Sequence, residues 1–323
     1  MNERAVAPSP ALFAEAVNAY QRTAAIKAAI HLEVFTAIAE GNTTHYDLAM
    51  RCRTSERGMS ILLDYLVILG FLLKHGEQYA LTPDAALFLD KHQPSYVGGA
   101  LEFLPTTEIA ATRNNTGKVA WENPVCENFV RAMLPLLLLP AQGIAKLVAV
   151  EQTRPVKVLD IAAGHGIFGI AFAQQYPNVE VTALDWPKVL DVARANAQRF
   201  GVNERFATLA GSAFELDWGG GYDVVLVTNF LHHFDPPTCE RLLRKVHASL
   251  NPGGRAVTLE FVPNEAPVKP PPAASALMKL DAMPDDTYTA VGYNRMFRNA
   301  GFAYTDLFPV PQTLEHVLVS VKG

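Results

Sequence analysis

The sequence predicts an α/β fold in which a Rossmann-like, doubly wound sheet follows a mostly α-helical winged-helix domain. Past Pro155, short apolar β-branched runs alternate with helical stretches, which is typical of a mostly parallel sheet with helices on both faces. Before that point, helical patterns lead into a hairpin pattern. We therefore expect a winged-helix domain over 1–100, connecting helices over 101–150 and a catalytic domain over 151–323.

The composition is that of an ordinary globular chain. Of 323 residues, 50% are hydrophobic and 18% are charged, and the net charge is −5. These values argue against disorder and favour neither nucleic acid nor a membrane as partner. The apolar run Met133–Pro140 is far shorter than the roughly 20 residues that cross a bilayer, so we expect a buried segment. No apolar signal segment follows Met1, which favours a cytoplasmic location.

The first 81 residues have the helix order of a winged helix. Leu12–Glu40 shows apolar residues at helical spacing, and capping residues precede shorter helical patterns over His45–Arg51 and Glu56–Leu69. Two apolar arms then flank a turn within Phe71–Leu81, as in a hairpin.

A winged helix raises the alternative of a ligand-responsive DNA-binding regulator. The candidate recognition helix Glu56–Leu69 carries Arg57 as its one basic residue, whereas a groove-reading helix needs several. Its apolar face is better explained by a subunit interface.

Proline and glycine divide the segment between the two domains. Ala100–Glu151 has helical periodicity, with expected breaks at Pro105, Asn114–Gly117, Pro124 and Pro135. We interpret it as connecting helices.

Five strands and three helices are predicted after Pro155. The strands are Val156–Ile161, Val179–Leu184, Ala207–Leu209, Val224–Val227 and Ala256–Phe261, and the helices are Phe168–Gln175, Val189–Phe200 and Thr238–Leu250.

A turn of small residues follows the first of these strands. Ala162-Ala163-Gly164-His165-Gly166 allows a ligand to approach the backbone and the start of a helix closely. Asp185 ends the second strand about twenty residues later, where an acid accepts hydrogen bonds from ribose hydroxyls. The ligand is therefore expected to contain a ribose.

The charge at the turn favours S-adenosylmethionine over a dinucleotide. A pyrophosphate site usually shows GxGxxG, and we expect no third glycine at the helix–strand spacing here. Asp160 would repel a pyrophosphate but could face, directly or through water, the amino group of a methionine moiety. Residues after the later strands are expected to border the same ligand, giving this set of cofactor-binding residues: Asp160, Ala162, Gly164, Gly166, Asp185, Trp186, Ser212, Ala213, Phe214, Thr228 and Asn229.

Taken together, these motifs resemble the bacterial and plant small-molecule O-methyltransferases, the winged-helix dimerising branch of the class I adenosylmethionine-dependent enzymes. The resemblance runs from Ile26–Leu81 through Leu231–Phe234 to Asn299–Phe302. It implies a homodimer of secondary metabolism that methylates a hydroxyl of a small-molecule acceptor.

The resemblance also implies the catalytic residues. The family's general base matches His232, with His233 and Phe234 at the next two places, and its supporting acid matches Glu260. A carboxylate beside a histidine orients the ring and stabilises the imidazolium as it takes a proton.

Several positions depart from the family pattern. Thr287 and Tyr288 stand where the family often has a second acid and an arginine, although Asp285 or Asp286 could substitute. Ala162, Ser212 and Thr228 replace a glycine, an aspartate and a lysine of the family's cofactor site. These departures keep open other chemistry on bound adenosylmethionine: a C-methyltransferase, decarboxylase, hydroxylase or pericyclase.

The acceptor pocket is placed by the resemblance between the catalytic domain and the connecting helices. No metal is expected, because the adjacent His232 and His233 lack ligand-spaced cysteines or carboxylates. The candidates to line the pocket are Trp121, Asn128, Phe129, Met133, His233 and Met278.

Overall fold

The computed structural model describes residues 11–93, 95–103, 124–262, 289–310 and 315–323. The chain divides into two compact units, Met1–Phe103 and Leu104–Gly323. Within the described ranges, no helix is both long and apolar enough to cross a membrane.

The first unit contains the predicted helices and hairpin. Its core includes Phe35, Leu48, Leu63 and Tyr79, all at most 2% exposed. In chain order, its elements are α1 (Ala11–His31), α2 (Val34–Ala39), α3 (His45–Arg51), α4 (Glu56–Ile68), β1 (Leu72–His75), β2 (Gln78–Leu81), α5 (Pro83–Phe88) and a 3-10 helix (Gly98–Phe103).

Side-chain caps fix where α3 and α4 begin. Thr44 Oγ1 accepts a hydrogen bond from Asp47 N at 3.2 Å, and Ser55 Oγ accepts one from Gly58 N at 3.1 Å. Each cap satisfies a backbone N–H that has no partner within the helix. Both helices therefore begin at the capping residues expected from the sequence.

The second unit is a seven-stranded α/β sheet. Its strand order is β5-β4-β3-β6-β7-β9-β8; the pairs from β5 to β7 are parallel, and β9 pairs antiparallel with β7 and β8. Its elements are α6 (Pro124–Leu147), β3 (Val156–Ile161), α7 (Ile167–Gln175), β4 (Val179–Asp185), α8 (Pro187–Arg199), β5 (Phe206–Ala210), β6 (Tyr222–Thr228), α9 (Pro236–Ser249), β7 (Leu250–Phe261), α10 (Ala290–Asn299), β8 (Tyr304–Pro309) and β9 (Glu315–Val321).

The strand order reverses between β3 and β6, which are neighbours in the middle of the sheet. From β3 the chain moves outward through β4 to β5, and from β6 it moves the other way to β7. The loops that leave β3 and β6 therefore diverge, and a crevice for ligands forms at such a point, outside the carboxyl ends of the strands. The fold places the predicted ligand turn and the His232 segment at this edge.

Three expectations for the second unit were wrong or incomplete. The predicted break at Pro135 is absent, because Pro135 and Pro140 both lie inside the continuous helix α6. The run Met133–Pro140 is buried on one face only, since Leu136 and Leu139 are 44% and 61% exposed. Strands β8 and β9 and helix α10 were not predicted from the sequence. Strands β9 and β8 complete the sheet beyond β7.

The expectation that the third glycine is missing was also wrong. Gly169 lies in the first turns of α7, and a Cβ there would sit 2.7 Å from Val181 Cγ1 and 3.1 Å from Asp160 Oδ2. Helix α7 can pack this closely on the sheet because position 169 has no side chain. With Gly164 and Gly166, it completes the GxGxxG pattern.

We predict that Gly169→Ala destabilises the protein by about 1–3 kcal/mol, because the added methyl group overpacks the contact between α7 and β4. The free energy of unfolding in urea measures this effect. Gly143→Ala in α6 is the matched control: a Cβ at Gly143 meets no atom within 4 Å, so that change is expected to be neutral or slightly stabilising. Equal stability of the two variants would contradict the packing role of Gly169.

Candidate active site

The turn after β3 has a left-handed backbone at three positions. Ala162, Gly164 and Gly166 have φ values of 53°, 57° and 73°. This region is natural for glycine and unfavourable for alanine. Hydrogen bonds from Ala163 N to Leu184 O at 3.1 Å and from Gly166 N to Ala163 O at 2.7 Å hold the turn against β4. The strained Ala162 is therefore held in a closed, well-defined turn.

Gly164 and Gly166 serve different purposes in this turn. A Cβ on Gly166 would approach Phe206 Cζ at 3.0 Å and Ala193 Cβ at 3.1 Å, so this glycine allows the turn to pack on its neighbours. A Cβ on Gly164 would meet nothing nearer than Ala162 O at 4.0 Å. The space beside Gly164 is thus open to a ligand.

His165, between the two glycines, is a buried neutral side chain. Burial lowers its pKa to about 4, so the imidazole is uncharged at neutral pH. Its Nδ1 accepts a hydrogen bond from Ile167 N at 3.2 Å, and its carbonyl oxygen accepts one from Asn196 Nδ2 at 2.9 Å. His165 therefore holds the start of α7 and adds no charge to the site.

Asp185 is the last residue of β4 and is half-buried at the carboxyl edge of the sheet. Its Oδ2 accepts a hydrogen bond from Gly164 N at 2.8 Å and its Oδ1 one from Trp186 N at 2.7 Å. A carboxylate has about four acceptor positions, so about two remain for the hydroxyls of a ligand. Burial raises the pKa of Asp185, while the two backbone hydrogen bonds oppose that rise.

Asp160 lies deeper than the sequence analysis expected. Its side chain is fully buried, and its Oδ2 accepts a hydrogen bond from Gly169 N at 3.0 Å. Among the described residues, Oδ1 has no hydrogen-bond partner. Burial, with a smaller contribution from the nearby Asp185, raises the pKa of Asp160 to about 7. The carboxyl group links β3 to α7, and its contact with a ligand stays a prediction.

An aromatic cluster follows β5 and β6. The ring centroid of Phe234 lies 5.0 Å from that of Phe214 and 4.9 Å from that of Phe230, both in edge-to-face geometry. Ser212 Oγ accepts a hydrogen bond from Phe214 N at 3.2 Å, and Gly211 N donates to Asp185 O at 2.9 Å. The predicted residues Ser212 and Phe214 thus join the Asp185 end of the site to an apolar aromatic wall.

His232 and Glu260 form a hydrogen-bonded pair, as the family resemblance implies. His232 Nδ1 lies 2.8 Å from Glu260 Oε2, and the His232 side chain is 23% exposed while that of Glu260 is 0% exposed. Glu260 Oε1 accepts hydrogen bonds from Phe230 N at 3.0 Å and Leu231 N at 2.8 Å. Because a carboxylate only accepts, Nδ1 donates this hydrogen bond, and in the neutral ring the lone pair is then on Nε2. The arrangement suits a general base.

Glu315 is a further acid at this site that was not predicted from the sequence. It begins β9, where the register pairs Phe261 with Glu315 and Glu260 with His316. Asn229 donates a side-chain hydrogen bond to Glu315, while burial and the charge of Glu260 raise the pKa of Glu315 to about 7. The apolar, alternating run after Glu315 was the one available signal of the strand that carries it.

Comparison with known proteins identifies the family. Residues 122–303 match the O-methyltransferase domain, and residues 14–91 match the O-methyltransferase dimerisation domain. The first match alone spans more than half of the chain. The chain belongs to the O-methyltransferase family. It is therefore an S-adenosylmethionine-dependent O-methyltransferase.

Individual relatives cover almost all of this methyltransferase. The 3-hydroxy-5-methyl-1-naphthoate 3-O-methyltransferase of Streptomyces sahachiroi is 26% identical over 311 residues, which are 90% of this chain and 89% of the relative. A Nostoc punctiforme crystal structure described as that of an O-methyltransferase is 48% identical, with a TM-score of 0.86 over 98% of this chain and 100% of that one. Human N-acetylserotonin methyltransferase in complex with its cofactor shares the fold, at 20% identity and a TM-score of 0.80 over 100% of both chains.

The turn and the edge of the methyltransferase sheet fit adenosylmethionine. Open space beside Gly164, the spare acceptor positions of Asp185 and the ring of Phe214 suit a ligand that carries a methionine backbone, a ribose and an adenine, and the contact of each residue stays a prediction. The buried acids at this end also suit a ligand that carries positive charge. The GxGxxG pattern alone does not separate this cofactor from a dinucleotide.

The remaining predicted site residues differ in how far the structure places them. His233 is exposed, with its ring centroid 4.0 Å from that of His232, and Met133 lies half-buried on α6. Ala213 and Thr228 are buried beside the edge of the sheet. Asn128 and Phe129 belong to α6, but their side chains lie outside the described residues. Also outside them are Trp121, Met278, Asp285, Asp286, Thr287 and Tyr288. The roles assigned to all of these residues stay predictions.

We predict that Asp160→Asn stabilises the protein relative to wild type, and that this gain grows as the pH rises. The folded-state pKa of Asp160, about 7, lies above the ordinary value of 3.8. Between these values the unfolded chain gives up this proton while the folded protein keeps it, so the wild type loses stability as the pH rises. The variant has no such loss. Its unfolding free energy relative to wild type should therefore increase by at least about 1 kcal/mol between pH 4 and pH 8.

Urea unfolding at both pH values measures this difference for Asp160→Asn. Exposed Asp306→Asn on β8 is the control, and its difference from wild type should stay the same. A pH-independent difference for Asp160→Asn would show that the buried carboxyl group ionises as freely as one in water.

Proposed function

We propose that this enzyme transfers the methyl group of adenosylmethionine to a hydroxyl of an apolar or aromatic small molecule, with His232 as general base. The observation that carries the proposal is the 2.8 Å hydrogen bond between His232 Nδ1 and the fully buried carboxylate of Glu260. The side chain of His232 is 23% exposed, so an acceptor hydroxyl can reach the ring.

Glu260 supports this role in two ways. Its Oε1 is held by the backbone amides of Phe230 and Leu231, so Oε2 is fixed and in turn orients the ring of His232. Its negative charge stabilises the imidazolium that forms when Nε2 takes the hydroxyl proton. The acceptor oxygen then attacks the methyl group in line, and the new bond forms as the bond from methyl to sulfur breaks.

The cofactor's sulfonium supplies an electrophilic methyl group, and the chain's own residues bind and orient the molecule. Asp185 would accept the ribose hydroxyls, with Trp186 beside it at the start of α8. Phe214 and Ser212 would border the adenine, and the turn around Gly164 would lie along the methionine moiety. Orientation of this kind supplies most of the rate enhancement in methyl transfer.

An aromatic acceptor is the substrate class that the site and its relatives support. Phe230 and Phe234, which pack edge to face on each other, flank the His232 segment in the sequence, and we expect them to give the acceptor site an apolar, aromatic surface. The Streptomyces sahachiroi relative is named for methylation of a hydroxynaphthoate. A phenolic hydroxyl is also acidic enough for a histidine to deprotonate as the bond to the methyl group forms.

We predict that His232→Ala lowers turnover on the order of 10²-fold or more while the affinity for adenosylmethionine changes little. Turnover is measured with methyl-labelled adenosylmethionine and a panel of hydroxynaphthoates and N-acetylserotonin, and affinity by calorimetry. His75→Ala, on an exposed position of β1, is the control and should behave as wild type.

Undiminished turnover of His232→Ala would rule out the general-base role. The position of the label in the product tests the chemistry separately. A methyl group on carbon, or label lost without methyl transfer, would replace O-methylation by one of the other reactions considered for the family.

We further propose that the enzyme is a homodimer formed through its first unit. Tyr20, Ile61 and Ile68 are 77%, 62% and 77% exposed, although all three are large and apolar. Tyr20 and Ile61 line a groove of about 390 Å³ between α1 and α4. The match of residues 14–91 to a dimerisation domain favours a second copy of this chain as the partner on this surface.

We predict that Ile61→Asp converts the dimer to a monomer, because it places a charge in an apolar interface. Light scattering coupled to size-exclusion chromatography measures the mass. Tyr304→Asp, which changes an exposed residue of β8 in the other unit, is the control. A dimer that persists in Ile61→Asp would place the interface elsewhere.

A further inference from the structure

We propose that Glu315 is a positioning residue of the methyl-transfer site, a second carboxyl group that acts on His232 through Glu260 and Asn229. This inference rests on the proposed role of His232 as the base. It assigns a function to a residue on the antiparallel strand β9, which lies across β7 from the strands that form the rest of the site.

The sheet places Glu315 one register position from Glu260. Strand β9 runs antiparallel to β7, with His316 opposite Glu260 and Glu315 opposite the next residue of β7. Glu315 therefore lies at the end of β9 nearest to the carboxyl end of β7. It is half-buried, and its backbone carbonyl accepts a hydrogen bond from Val310 N at 3.1 Å, which ties it to the end of β8 as well.

Asn229 connects Glu315 to the His232 segment. It follows β6 directly, has a φ of 51°, and donates from its backbone N to Leu259 O at 2.8 Å. Asparagine is one of the few residues apart from glycine that tolerate this left-handed backbone. With its backbone fixed in this way, its side chain donates a hydrogen bond to the carboxyl group of Glu315.

These contacts form one hydrogen-bonded network. The two residues after Asn229 are Phe230 and Leu231, whose amides hold Glu260 Oε1, and Glu260 Oε2 holds His232 Nδ1. One short backbone segment therefore presents the side-chain amide of Asn229 to Glu315 and holds Glu260 through the next two backbone amides. We expect a change at Glu315 to affect both Asn229 and the hydrogen bonds that orient His232.

The charges in the network also couple Glu315 to His232. Among the described residues, the ionisable groups near Glu315 include Glu260 on β7, His232 after β6 and the neighbouring His316 on its own strand. Burial and the charge of Glu260 raise the pKa of Glu315 to about 7. Glu315 is therefore neutral below that pH and gains a negative charge above it. That charge stabilises a nearby imidazolium and so raises the pKa of His232.

The test is an NMR titration of the full-length enzyme with ¹³C-labelled histidine. The His232 signal is identified by its loss in His232→Gln. In Glu315→Gln, we expect the pKa of His232 to fall by about 0.5–1 unit, because one flanking negative charge is gone. Glu180→Gln removes the same charge from an exposed position of β4 and should leave the His232 titration unchanged.

Asn229→Gly provides a second route to the same result. Glycine keeps the left-handed backbone but removes the amide that stabilises the charged form of Glu315, so the pKa of His232 should again fall. An unchanged His232 titration in Glu315→Gln, or in Asn229→Gly if the first variant does not fold, overturns the proposal. This readout does not depend on turnover. Full activity of His232→Ala together with a shifted titration would overturn the proposed function and leave the coupling intact.

Discussion

The fully buried carboxylate of Glu260 is the group on which the geometry of the site depends. A buried charge is costly unless its oxygens are hydrogen-bonded, and here one oxygen accepts two backbone amides while the other accepts the ring of His232. The loop after β6 must therefore fold back towards the end of β7 to supply those amides. The same requirement that stabilises Glu260 fixes the direction in which His232 points.

At the cofactor end of the site, two buried acids determine the local electrostatics. Asp160 has one oxygen bonded to Gly169 N and the other without a partner among the described residues, and Asp185 adds to the rise in the pKa of Asp160. Two buried acids near each other store unfavourable electrostatic energy in the free protein. A ligand with a positive charge relieves it, whereas a pyrophosphate increases it. We therefore expect this turn to accept a ligand with a positive charge more readily than a pyrophosphate.

The sequence predicted the parallel part of the sheet well, because buried parallel strands are continuous apolar runs. Strand β3 agrees with its predicted bounds, β4, β5 and β6 differ by one or two residues at their ends, and β7 begins at Leu250, six residues before its predicted start. Strand β8 was missed because its residues are mostly exposed, which removes the apolar signal. The expectation that the third glycine is missing overlooked Gly169, although Gly164, Gly166 and Gly169 give the GxGxxG spacing in the sequence itself. The pairing of Glu315 with β7 could not be derived, because long-range antiparallel register has no local signature.

Strand β9, which was not predicted either, matters because it brings Glu315 close to the His232–Glu260 pair. In the parallel part of the sheet, ligand residues come from loops at the carboxyl ends of strands, so a search along β3 to β7 finds Asp185, His232 and Glu260. An antiparallel strand beside β7 brings its amino end to the same edge, and its first residue, Glu315, arrives there from the opposite chain direction. The reversal of β9 therefore adds an acid to the edge without another loop.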